Sequence, residues 1–217
     1  MWHAVSFALM DSVNVLLIGL IVAVGVLLPR GGKYWKIMGL LVGGDWVGVF
    51  LLALATMYLF NGIEDTVRAV IDSPIFGIIL IAFGILGAVM TWRGGDNTAM
   101  LEKLLPPVRK PSGKTFVAGL LLGVIQSATS APFFGGIAVL SVGDFSVWVQ
   151  YIGMFFYACL ALSLPVLTAL GVGFVRAFPE SPAGRGFEWM RNHGDAVNNG
   201  AGYVVSVILI VLGLAHL

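Results

Sequence analysis

Charge is what this chain has least of. Asp, Glu, Lys and Arg make up 11% of its 217 residues, where soluble domains carry about 25%. With 59% hydrophobic residues and a mean hydropathy of +0.97, there is too little polar surface to cover a soluble fold, and the composition predicts an all-α polytopic membrane protein. The net charge of +1 gives no basic face for a nucleic-acid partner. Cysteine is nearly absent as well. Cys159 stands alone, which excludes an intrachain disulfide and a dithiol shuttle, and it reads as a small buried apolar residue. His3, His193 and His216 have no paired ligand at metal-binding spacing, so no metal is expected. No Walker-type loop and no Ser-His or Cys-His constellation occurs. The sequence therefore predicts neither an enzyme nor a resident cofactor.

What is present is a series of apolar runs. A helix needs about 20 apolar residues to cross the ~30 Å hydrocarbon layer, and six segments meet that length: 4–28, 36–60, 74–92, 115–142, 147–174 and 199–217. No Lys or Arg precedes the first run, which carries Asp11 and Asn14 and extends to Leu28. It is expected to remain as a span rather than to be cleaved as a signal peptide. Eleven of the 12 basic residues fall in alternate loops: Arg30, Lys33 and Lys36; Arg93, Lys103, Arg109, Lys110 and Lys114; Arg176, Arg185 and Arg191. Arg68 alone lies on the other side. The positive-inside rule then places those loops in the cytoplasm and both termini outside. The proline-broken basic stretch from Lys103 to Lys114 could also gather anionic lipid headgroups.

Polar residues interrupt two of the runs at matching depth: Asp11-Ser12-Val13-Asn14 in the first, and Gln126-Ser127-Ala128-Thr129-Ser130-Ala131-Pro132 in the fourth. In hydrocarbon each unsatisfied backbone group costs several kcal/mol, so a broken helix persists only where protein or a wet cavity surrounds it. Three spans per half means that the second half starts from the opposite side of the membrane. The expectation is two inverted three-helix repeats, 1–92 and 115–217, joined by the basic cytoplasmic loop 93–114, with helices 1 and 4 broken. At 1.5 Å per residue both breaks lie roughly 10–17 Å deep.

Candidate binding residues follow from cost. Asp11 and Asp45 are the carboxylates inside expected spans, and a charge at the bilayer centre is penalised by about 2.5–3.5 kcal/mol even on the mildest scale. Such acids suit a group that binds and releases a proton or cation, so proton coupling is expected; the alternative is a structural acid bonded to Ser12, Asn14, Gln126 or Thr129. In the second break Ser127, Thr129 and Ser130 offer hydroxyls, and Pro132 removes a backbone donor. These groups could hold a substrate or ion, or simply bond back to their own helix at a kink. Gly39-x-x-x-Gly43, Gly119-x-x-x-Gly123 and Gly135-Gly136 are small-residue packing signals. The fifth run reads as wholly apolar, with Pro165 as a kink or hinge.

The early Asp11-Ser12-Val13-Asn14, the basic proline-containing central loop, the Gly/Ser/Pro-rich fourth span continuing Phe133-Phe134-Gly135-Gly136, and the last span ending near the terminus together resemble the lysine-exporter superfamily. Within it the chain is most similar to the glycolipid-addressing proteins. Where that family carries Asp-Pro or Asn-Pro, this chain has Asp11-Ser12 and Asn14-Val15. The resemblance implies a bacterial inner (plasma) membrane exporter of a cell-envelope glycolipid or related amphiphile, with membrane lipids as surroundings and a homodimer compatible with the family. Export of a small cationic solute, amino acid or metal ion, and a non-transporting scaffold for an envelope enzyme, remain open. The six-span thiol-electron conduits share paired proline breaks but need a cysteine in each, and this chain has none there.

Overall fold

A computed structural model describes residues 2–28, 32–71, 73–92, 108, 110–143, 145–178, 180–182 and 185, with isolated positions 203, 207, 210, 211 and 214. The described residues are helical throughout, with no strand among them. Helices α1 (Trp2–Asp11) and α2 (Val15–Leu27) fill the first expected span and α3 (Tyr34–Asn61) the second. After α4 (Glu64–Ile71) comes α5 (Pro74–Trp92). Helices α6 (Gly113–Ala128) and α7 (Ala131–Val142) make up the fourth span, and α8 (Val147–Ala161) with α9 (Ser163–Ala177) the fifth. Among the described residues, two helices are long and apolar enough to cross a membrane, Tyr34–Asn61 and the continuous Val147–Ala177; the number rises to four if each bent pair is one span. The expected sixth span, and the basic loop up to residue 107, lie outside the described residues apart from those isolated positions.

The two bent pairs are the two polar interruptions. The axes of α1 and α2 differ by 45°, and those of α6 and α7 by 80°. Helix α4 lies between the second and third expected spans, where the sequence predicts no helix. Its strongly sided pattern of charged and apolar residues gives a short helix one apolar face to lay against α5 and α7.

The tightest packing joins α3 to α6, and glycine makes it possible. A Cβ added at Gly44 would lie 2.2 Å from the Phe116 carbonyl oxygen, and one at Gly48 2.3 Å from that of Leu120. Reciprocally, Gly119 faces the Leu41 carbonyl at 2.1 Å and Gly123 that of Asp45 at 2.3 Å. Residue numbers rise together along both helices, so α3 and α6 run parallel. The small-residue seam on α3 is therefore Gly44-x-x-x-Gly48. Gly39 and Gly43, the pair expected from sequence, have nothing within 4 Å of an added Cβ.

A second close approach brings α1, α7 and α8 together. At Gly136 an added Cβ would meet the Tyr157 ring at 2.3 Å and Phe7 at 3.2 Å. Phe7, Phe133 and Tyr157 are correspondingly buried, and the Phe133 and Tyr157 rings meet edge to face with centroids 6.1 Å apart. Helix α2 lies along α9 and ends under a clamp. Arg176 Nη1 donates to the carbonyls of Gly25 and Leu28, its guanidinium lies 5.2 Å from the Tyr34 ring centroid, and the Tyr34 hydroxyl donates to the Ala169 carbonyl at 2.9 Å. A cation at a helix C-terminus satisfies carbonyls that have no intrahelical partner.

Candidate functional site at the two helix breaks

Each break is built by short side chains that replace helical hydrogen bonds. At the end of α1 the Ser12 hydroxyl donates to the Leu9 carbonyl at 2.6 Å, and Val13 N donates to Met10 O at 3.1 Å, tightening the last turn. Asn14 then caps α2: its Oδ1 accepts from Leu17 N at 2.9 Å. At the end of α6 the Thr129 and Ser130 amides donate to Gln126 and Ser127 carbonyls at 3.2 and 3.1 Å. Ser130 caps α7, its Oγ accepting from Phe133 N at 3.2 Å. Pro132 sits in the first turn of α7, where the missing N–H is not needed. It starts a new helix rather than kinking a continuous one.

The two breaks meet. Ser130 Oγ donates to Asp11 Oδ1 at 2.5 Å, across 119 positions of sequence. Its hydroxyl serves both breaks, giving its proton to one and accepting an amide proton in the other. The Tyr157 hydroxyl, on α8, reaches the Pro132 carbonyl at 3.1 Å and Asp11 Oδ2 at 3.5 Å. With a single proton, it favours the shorter contact with Pro132 and stands at the limit of hydrogen bonding to Asp11. Asp11 is half-buried, whereas Tyr157 is 2% exposed.

Asp45 lies in a different environment. Its residue exposure is 0%, and neither carboxyl oxygen has a hydrogen-bond partner. The glycine seam closes over its backbone: Gly123 lets the α6 backbone come so close that its own added Cβ would be 3.1 Å from Asp45 Cα. That approach excludes water from one side of the residue. The Asp11 and Asp45 carboxyls act on each other electrostatically. Gln126 Oε1 is a second buried acceptor with no partner.

Other expected residues take structural places. Ser127 is buried in the last turn of α6. Thr129 is exposed and donates back to Ile125 and Gln126 carbonyls of its own helix at 3.1 and 3.0 Å, the kink alternative weighed above. The Ser12 hydroxyl and Asn14 Oδ1 likewise bond to local backbone. Thus Asp11 and Ser130 are joined directly, Pro132 is reached through Tyr157, and Asp45 stands close by.

Tyr157 is the contact that the sequence pattern does not announce, since the fifth run reads as wholly apolar. The available signal was a tyrosine deep in a span, whose hydroxyl must find a partner when buried. Cys159, two residues on, is exposed and not buried as expected. Among the described residues no group of three or more His, Cys, Asp and Glu side chains could hold a metal ion. No protein-family model, curated protein or solved structure matches the chain. A functional reading therefore rests on this geometry and on the short motifs quoted above.

Proposed function

We propose that this protein is a secondary transporter of the bacterial inner membrane, working by alternating access around the paired helix breaks and exporting a cell-envelope glycolipid or related amphiphile. The observation that carries the reading is the Ser130 to Asp11 hydrogen bond, which ties the two broken segments into one polar site inside an otherwise apolar helix bundle. Discontinuous helices at depth are how many secondary transporters expose backbone and side-chain polar groups to a cargo. Inverted repeats are supported by a pattern of packing pairs. Helix α3 packs on α6 as α8 packs on α1, and α3 packs on α7 as α9 packs on α2. Exchanging spans one and four, and spans two and five, maps each pair onto the other. The preference for an amphiphile comes from the resemblance to glycolipid-addressing proteins.

The test is reconstitution in liposomes containing a headgroup-labelled glycolipid or phospholipid, with an impermeant quencher reporting its movement between leaflets. The wild type should speed that movement, and Ser130→Leu, which fills the junction of the breaks, should abolish the increase while still inserting. No acceleration, alongside catalysed efflux of labelled lysine or a divalent cation from the same vesicles, would replace the amphiphile with a small cationic solute. Movement of neither cargo would favour the scaffold.

A further inference from the structure

The two acids of the site are not equivalent. Asp11 is half-buried and receives the Ser130 proton at 2.5 Å, whereas Asp45 is fully buried with both oxygens unpartnered. Two carboxyls placed in such different surroundings take different roles. An isolated carboxylate removed from water is penalised by several kcal/mol unless a cation or several donors meet it. No described donor or cation meets Asp45. Helix α6 presents Gly119, Gly123 and backbone to it. The ionisable side chain acting on it is Asp11, itself an acid, with Tyr157 of α8 behind Asp11. On α9, Arg176 is engaged at Tyr34 and the end of α2, eleven residues or ~16 Å along α3 from Asp45. On α4, Asp65 lies exposed beyond the other end of α3.

A hard metal ion would need six or more oxygen ligands, and the backbone contact at Gly123 leaves that side of Asp45 closed. A proton needs one oxygen. We propose that the Asp45 carboxyl is the coupling-proton site of this transporter, carried as the neutral acid in the closed packing described here, with Asp11 as the fixed, hydrogen-bonded end of the same site. This rests on the transporter reading above. In the cycle one Asp45 oxygen takes a proton from outside water when the site is open there, the neutral acid is buried by the α3–α6 seam, the proton leaves when the site opens to the cytoplasm, and cargo bound in its place is then carried outward in the return half of the cycle. Each turnover returns Asp45 to the carboxylate, so charge and protons balance.

Infrared difference spectroscopy of the full-length protein in liposomes, stepped between mildly acidic and mildly alkaline pH, tests this without any substrate. The wild type should show one protonated-carboxyl band, sensitive to deuterium exchange, that is lost in Asp45→Asn and retained in Asp11→Asn. Asp45→Glu should keep it at a shifted frequency, which guards against a variant that fails to accumulate. A wild type with no such band, or a band that follows Asp11, overturns the assignment even if transport is demonstrated. Conversely, a band that follows Asp45 in a protein moving no cargo upholds the buried proton site and removes the transporter around it.

Discussion

Replacing Gly123 with alanine asks the most of the α3–α6 seam. The new methyl group would lie 2.3 Å from the Asp45 carbonyl oxygen, 3.0 Å from its carbon and 3.1 Å from its Cα. All three atoms are backbone in the middle of a helix, so no side chain can swing aside, and the helices must separate by roughly 1 Å to regain ordinary contact. Overpacking of this kind costs about 1–3 kcal/mol, against which alanine recovers at most about 1 kcal/mol of helix propensity. Gly39→Ala provides the control, because nothing lies within 4 Å of its added Cβ and only the propensity gain applies. The propensity gain is common to both, so the two variants should differ by the overpacking cost of about 1–3 kcal/mol, or ~2–12 °C in thermal midpoint for a chain of this size. Thermal unfolding in a mild detergent, followed by the surviving monodisperse fraction, measures it. Equal midpoints for Gly123→Ala and Gly39→Ala would refute the seam and, with it, the account of how Asp45 is kept dry.

Arg176→Gln leaves the Gly25 and Leu28 carbonyls without their charged donor, and should lower stability by about 2 kcal/mol in the same assay. Tyr157→Phe removes the donor to the Pro132 carbonyl; a loss of about 1–3 kcal/mol is expected, and a neutral result would mean that this carbonyl has another partner. For orientation, a reporter inserted near Ser112 should read as cytoplasmic and one fused after Leu217 as external, because the basic residues lie so heavily on one side. A cytoplasmic C-terminus contradicts the six-span topology.

Much of the helix layout was legible because hydrocarbon thickness fixes the length of an apolar run, and helices occupy the first five apolar segments with bounds within a few residues of those expected. The breaks were legible for a related reason: Asp11, Asn14 and Ser130 are costly in a membrane and therefore conspicuous. Face and partner were harder to read. Gly39, Gly43, Gly44 and Gly48 give two overlapping small-residue patterns on one helix, and only the position of α6 selects the second. Tyr157 was hidden because its ring suits lipid as well as its hydroxyl suits the Pro132 carbonyl. Arg176 registered as a loop charge that sets topology, whereas its clamp on α2 depends on a contact 151 positions away. Helix α4 is not legible in the sequence because eight residues, opened by Glu64 and Asp65, are too short for periodicity to establish a helix.

The claim on which the functional account stands is that the two breaks form one site, and a cross-link measures it most directly. Cysteines replacing Asp11 and Ser130 in a Cys159→Ala background should join in native membranes under mild oxidation or with a short bifunctional reagent. Their wild-type side chains touch at 2.5 Å, and a disulfide tolerates Cα separations up to about 7 Å. Rapid, near-complete linkage is the predicted result. A protein that inserts and remains monodisperse, yet forms no link with oxidant or reagent, would mean that the breaks are separate kinks and that no shared site exists between them.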